Sequence, residues 1–171
     1  MTGRSGESAE LSEVLRRITA DGGCRLLPPS GVPAVASEHR IPDDVLEFYR
    51  VAGGAALFPG SNYDYSIVGP EEVRPANRVL RLDPEEGDIS EAWYIIAVDS
   101  GGEYLTIDLD STRLGKCYDS FHETHGLVGS MPIVARSFTE LLQRLLDNRG
   151  DYPYWLRDDF TGMGDAYDDA E

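Results

Sequence analysis

IPDDVLEFYRVAGGAALF, residues Ile41–Phe58, and VARSFTELLQRLLDN, residues Val134–Asn148, bracket the middle of the chain and decide its fold. In the first stretch Pro42 has the fixed φ that suits a first helical position, and Asp43 and Asp44 face the positive end of the helix dipole. Val45, Phe48, Tyr49 and Ala52 recur at helical spacing, and Gly53-Gly54 predicts a stop at a left-handed residue. In the second stretch Ser137 and Glu140 form an S-x-x-E capping box. Phe138, Leu141, Leu142, Leu145 and Leu146 make a wide apolar face, and Asn148-Arg149-Gly150 ends the helix.

Outward from these two helices, Glu10–Thr19 reads as an amphipathic helix with Leu11, Val14, Leu15 and Ile18 on one face, stopped at Asp21-Gly22-Gly23. Pro28, Pro29, Gly31 and Pro33 make an extended linker. Short β-prone runs fill the middle: Ala55–Phe58, Asp64–Val68, Trp93–Val98, Tyr104–Asp108, Cys117–Phe121 and Ile133–Ala135. A short helix from Gly69 to about Leu80 is kinked or shortened by Pro75. Asp83–Ser90 is an acidic exposed loop, and Asp99-Ser100-Gly101-Gly102 is a hairpin turn. Helices at the ends and hairpin-joined strands between them predict a single α+β domain, its sheet mainly antiparallel. The expected organisation is a flexible N-terminus (1–9), the domain (10–149) and an acidic, aromatic tail (150–171).

The chain has 171 residues, enough for one domain with a real core, and 41% hydrophobic with 27% charged residues is an ordinary globular balance. No run is apolar enough to span a bilayer, and the first residues lack the apolar core of a secretory signal, so a cytoplasmic protein is expected. Cys24 and Cys117 have no ligand spacing and read as buried or idle thiols, although a disulfide between them is open. Net charge is −16, and residues 151–171 alone hold seven acids against one base. That balance argues against nucleic acid or an anionic membrane as a direct partner and is compatible with a basic protein. Acidity also serves solubility, so charge does not decide between these.

His122-Glu123-Thr124-His125 resembles a zinc motif but has the wrong spacing, since a helical pair needs i, i+4. Asp108, Asp110 and Asp119 suggest a calcium loop, yet Arg113 stands where that loop needs Gly. Turn aspartates bonded to nearby backbone N–H groups are the simpler reading. The chain has no G-x-S-x-G elbow, P-loop or dinucleotide fingerprint. No metal, no cofactor and no catalytic residue is expected; a hydrolase with a carboxylate site is the remaining enzymatic alternative. Trp93 and Tyr94 must face opposite sides of their strand, so one packs inward and the other is open to solvent. Tyr154, Trp155 and Leu156 in the tail either fold back on the domain or anchor a partner.

These pieces occur in the order of the SUKH superfamily, which this chain resembles from about Leu11 to Asn148. The resemblance rests on the Ile41–Tyr49 helix, the Gly53-Gly54 turn, the Trp93–Asp108 core with Asp99-Ser100-Gly101-Gly102-Glu103-Tyr104, and the closing Val134–Leu142 segment. It implies a sheet flanked by helices and a protein that works by binding. Relatives include a fungal regulator of cell-wall synthesis and bacterial toxin-immunity proteins. An immunity protein for a basic toxin domain, with a nuclease as one option, is therefore expected, and a regulatory scaffold is the alternative. The expected interface is the acidic set Asp99, Glu103, Asp108, Asp110 and Asp119, or else Glu85, Glu86 and Asp88, with Trp155 as a possible aromatic anchor.

Overall fold

The computed structural model describes residues 3–168. Seven strands form one sheet in simple sequence order, β1 (Cys24–Leu26), β2 (Ala55–Leu57), β3 (Tyr65–Ile67), β4 (Trp93–Asp99), β5 (Tyr104–Asp108), β6 (Cys117–Ser120) and β7 (Ile133–Ala135), and every neighbouring pair is antiparallel. The short β2–β3, β4–β5 and β5–β6 connections cannot do otherwise, because parallel pairing needs a long crossover. The α+β expectation stands, with an antiparallel sheet throughout.

Helices α1 (Gly3–Ala20), α2 (Asp43–Val51) and α4 (Phe138–Asn148) pack against one another on one face of the sheet. Leu11, Val14 and Ile18 of α1, Val45, Phe48 and Tyr49 of α2 and the apolar stripe of α4 are all buried. Phe48 and Phe138 meet edge to face with ring centroids 5.1 Å apart, the arrangement that aromatic quadrupoles favour. Ser137 caps α4 by accepting the Glu140 N–H at 3.0 Å. Asp44 does more than face a dipole: its carboxylate accepts both the N–H and the hydroxyl of Thr139 at 2.9 Å, tying the start of α2 to the start of α4.

Several boundaries differ from expectation for physical reasons. α1 begins at Gly3, so residues 3–9 are helical. β1 lies between the Gly22-Gly23 turn and the proline linker, where no strand had been expected. Pro42 is the cap of α2 and not its first residue. Gly53-Gly54 is not a left-handed helix cap, since Ala52 has already turned extended. The pair is required by close packing: a Cβ on Gly53 would lie 2.2 Å from the Pro28 carbonyl oxygen, and one on Gly54 would lie 2.6 Å from that of Ile67. Pro75 divides its segment into a 3-10 turn at Pro70–Glu72 and the short α3 (Ala76–Val79).

The second face of the sheet is covered by other means. Residues 121–131 and the stretch Met163–Tyr167 fold over its β4–β7 half, burying Trp93, Tyr118, Met131, Ile133 and Ala166 in a second, smaller cluster, whereas Tyr154, Trp155 and Phe160 pack with the helical-face core. Trp93 and Tyr94 are therefore both buried, at 0% and 1% exposure, which corrects the expectation that one of them is open. The sequence from 150 on is no free tail as far as Asp168. Tyr154 donates to the Val134 carbonyl at 2.6 Å, and Ala166 N–H donates to the Met131 carbonyl at 2.8 Å.

Candidate partner-binding surface

The carboxylates singled out from the sequence fall into three environments. Asp108 lies in the interior, with no exposed surface. Its pairing with Trp93 across β4–β5 puts both side chains on the second face. Oδ2 accepts the Trp93 indole N–H at 3.1 Å, the Tyr118 hydroxyl at 2.6 Å and Arg113 Nε at 2.9 Å, while Oδ1 accepts the Asp110 N–H at 3.0 Å. Burial pushes the Asp108 carboxyl up from the usual carboxylate range, and these donors oppose the push. With a guanidinium and three further donors aimed at it, Asp108 is a structural hub. It is not part of an exposed acidic set. Asp110 caps the following turn by accepting the Thr112 N–H at 2.9 Å, as the turn reading anticipated.

The second environment is the end of the sheet at the β4–β5 hairpin. Asp99 accepts the Glu103 N–H at 2.9 Å and closes the turn. Asp64, which the sequence reading had passed over, accepts the Ser100 N–H from the neighbouring loop. Glu103 accepts the His122 backbone N–H at 2.9 Å and is paired with its imidazole. Asp119 accepts the Trp155 indole N–H at 2.9 Å. Tyr65 sits among these groups, its phenol pushed up first by burial and then by Asp119, Asp99, Glu103 and Asp64. Burial likewise raises the Asp119 carboxyl, against the pull of the Trp155 N–H. Trp155 is only 7% exposed and stacks obliquely on Tyr65. It anchors the chain's own C-terminal segment, the first of the two alternatives that the sequence leaves open for it.

The third environment is the loop before β4. Glu85 and Glu86 are exposed. Asp88 is half-buried, caps the turn Ile89–Ala92 through the Ser90 N–H at 2.9 Å and lies 3.1 Å from the Tyr167 hydroxyl. The two histidines of the HETH segment diverge: His122 is on the surface with Glu103, whereas His125 is buried with Nε2 2.8 Å from Asn77 Oδ1. Among the described residues no group of three or more His, Cys, Asp or Glu is placed to hold a metal ion. Cys117 is buried and Cys24 half-buried, and both are free thiols.

Sequence reasoning also missed Leu127 and Val128, exposed apolar residues in the loop 121–131. The one available signal was their position, since Gly126-Leu127-Val128-Gly129 puts two branched apolar residues in a turn that should be polar.

A helical layer on one face, a meander of seven strands and acidic loops are the setting in which the comparisons with known proteins become informative. The profile of the SMI1/KNR4 family (SUKH-1) matches residues 36–144. The chain belongs to the SMI1/KNR4 (SUKH-1) family. It is 47% identical over 158 residues to the immunity protein YokJ of Bacillus subtilis strain 168, covering 92% of this chain and 96% of that protein. No solved structure matches it. The family match runs from the linker before α2 into α4, so it leaves outside it all of α1 and β1 and all of the C-terminal segment that covers the second face.

Proposed function

We propose that this chain is a bacterial toxin-immunity protein that neutralises a cognate toxin by binding it directly. The observation that carries this reading is the 47% identity to a protein named as an immunity protein, sustained over nearly the whole of both chains. Similarity running the length of the relative supports the same mode of action here, which needs a stable scaffold and a complementary surface and no catalytic group. The net charge of −16 supports a basic toxin domain as the partner, since opposite potentials accelerate encounter and fix orientation. A nuclease suits this arrangement, because the surface that holds a polyanionic substrate is also the surface an acidic protein covers. The chain acts in the cytoplasm on this reading, and no described helix is long and apolar enough to cross a membrane.

The test is a titration of this protein against the toxin domain that the immunity reading expects its neighbouring gene to encode, at two salt concentrations, with growth of a toxin-expressing strain as the second readout. Binding with protection is expected, and association that slows as salt rises. Absence of binding overturns the immunity reading; tight but salt-insensitive binding overturns the basic partner.

A further inference from the structure

Val128 is 77% exposed, more than any other large apolar residue described, and Leu127 beside it is 53% exposed. Such residues on an ordinary loop are a liability, and a mobile loop would carry them without consequence. This loop is held from below. The Asp165 carboxylate accepts the Gly129 N–H at 3.2 Å and the Met131 N–H at 2.7 Å, so it clamps the descending side of the turn. The Tyr167 hydroxyl lies 3.1 Å from the Gly126 carbonyl and also 3.1 Å from Asp88, bridging the ascending side to the acidic loop. Gly126 and Gly129 take φ of +81° and +83°, values that L side chains rarely adopt, and the turn between them closes with Ser130 N–H donating to the Leu127 carbonyl at 2.9 Å.

Immediately beside this apolar tip is a hollow of about 280 Å³ whose wall includes Leu82, Asp83, Glu85, Asp88, His125 and Gly126. Leu82 is itself 44% exposed. Residues 83–91 contribute five carboxylates and no base. Exposed apolar groups that are fixed before binding lose little freedom on contact, which is how a small anchor contributes much of a complex's affinity. A carboxylate rim selects a partner whose own rim is basic.

We infer that Leu127 and Val128, with the acidic hollow beside them, are the surface that engages the toxin: a preformed apolar knob that enters an apolar socket ringed by Lys or Arg on a basic protein domain. This rests on the immunity reading and locates its contact. It prefers the 83–88 loop over the Asp99 and Glu103 hairpin, whose carboxylates are already engaged with the Glu103 and His122 main-chain N–H groups or with the His122 ring.

The experiment uses the full chain and the neighbouring-gene toxin domain that the immunity reading expects, with association and dissociation rates followed at two salt concentrations and urea unfolding as the control for fold. L127S/V128S is expected to weaken binding about 100-fold, mainly through faster dissociation, with unfolding unchanged because both side chains are exposed. D83N/E85Q/E86Q is expected to slow association about 10-fold at low salt and to approach the unaltered rate at high salt. D99N/E103Q is expected to bind as the unaltered chain does. Undiminished binding by L127S/V128S overturns this inference and leaves the immunity reading intact, as does a loss confined to D99N/E103Q. An unaltered chain that fails to bind the toxin overturns both.

Discussion

The two faces of this sheet are held by different physics. On the helical face α1, α2 and α4 bury Leu11, Ile18, Phe48, Phe138 and Leu142 with almost no polar group among them, apart from hydroxyls such as Tyr49, which donates to the Val68 carbonyl at 2.7 Å. On the other face a carboxylate, Asp108, lies at the centre of the contact, and the cover is a loop and an irregular C-terminal segment. The first arrangement is non-directional, so its stability follows buried apolar area. The second depends on directed hydrogen bonds, each worth little net but costly when its partner is removed. A helical face of this kind tolerates conservative apolar exchange; the Asp108 hub does not tolerate loss of the carboxylate that its donors share.

The largest expected effect breaks the comparison on the helical side. Phe138→Ala removes a fully buried ring from the contact with Phe48 and should cost about 4 kcal/mol in urea unfolding. Hydrogen exchange in residues 163–168 should keep its own protection, because that segment opens locally. Loss of protection there in step with global unfolding would mean that the two faces are one cooperative unit and not two.

Next comes a pH effect confined to the second face. His125 is buried edge-on to Trp93, 5.5 Å between centroids, and its Nδ1 has no hydrogen-bond partner among the described residues. Nε2 must be the donor, because Asn77 Oδ1 accepts there while Asn77 Nδ2 donates to the Ser90 hydroxyl at 2.9 Å. Burial lowers the imidazole to about 4 from 6.5, with the Asp88 charge opposing. The unfolded chain therefore binds a proton between pH 6.5 and 4 that the folded chain refuses. Stability is fully present above pH 6.5 and falls as pH drops toward 4, by about 3 kcal/mol for this group. His125→Gln keeps a donor toward Asn77 and cannot charge. The difference between the two unfolding curves should show that window, and parallel curves from pH 7 to 4 would contradict it.

How much of this was legible beforehand follows the same division. Period-3.6 apolar spacing and a capping box need only local sequence, so α2 and α4 could be read from it, and the strands of the meander came from runs of β-prone residues between turn signals. The family was legible from the same pieces. β1 was missed because three residues between a Gly-Gly turn and a proline linker carry no period. Trp93-Tyr94 was misjudged because alternation says which sides two residues face and not whether both sides are covered. Asp108 looked like one more turn aspartate: nothing local separates it from Asp110, and its burial follows from Tyr118, Trp93 and Arg113 arriving from other elements. Of the interface candidates, Glu85 and Glu86 keep exposed carboxylates, because their loop runs outside both layers.

The smallest expected effect probes the join between the C-terminal segment and the loops it braces. Tyr167→Phe keeps the ring against Trp93, 5.6 Å between centroids, and removes one hydroxyl donor shared between Asp88 and the Gly126 carbonyl. The cost should be about 1 kcal/mol. Tyr49→Phe on the helical face removes one hydroxyl from a carbonyl in the same way and should cost a similar amount. What differs is where the loss is felt. Tyr49 is embedded between helix and sheet, so its loss should lower protection evenly. Tyr167 ties two loops to a segment with no regular secondary structure of its own, so its loss should raise exchange at Gly126–Met131 and Asp165–Asp168 well before the sheet opens. Equal, global loss of protection in both variants would show that the second face is as cooperative as the first, and that the loop carrying Leu127 and Val128 is held by the sheet beneath it and not by the chain's C-terminal segment.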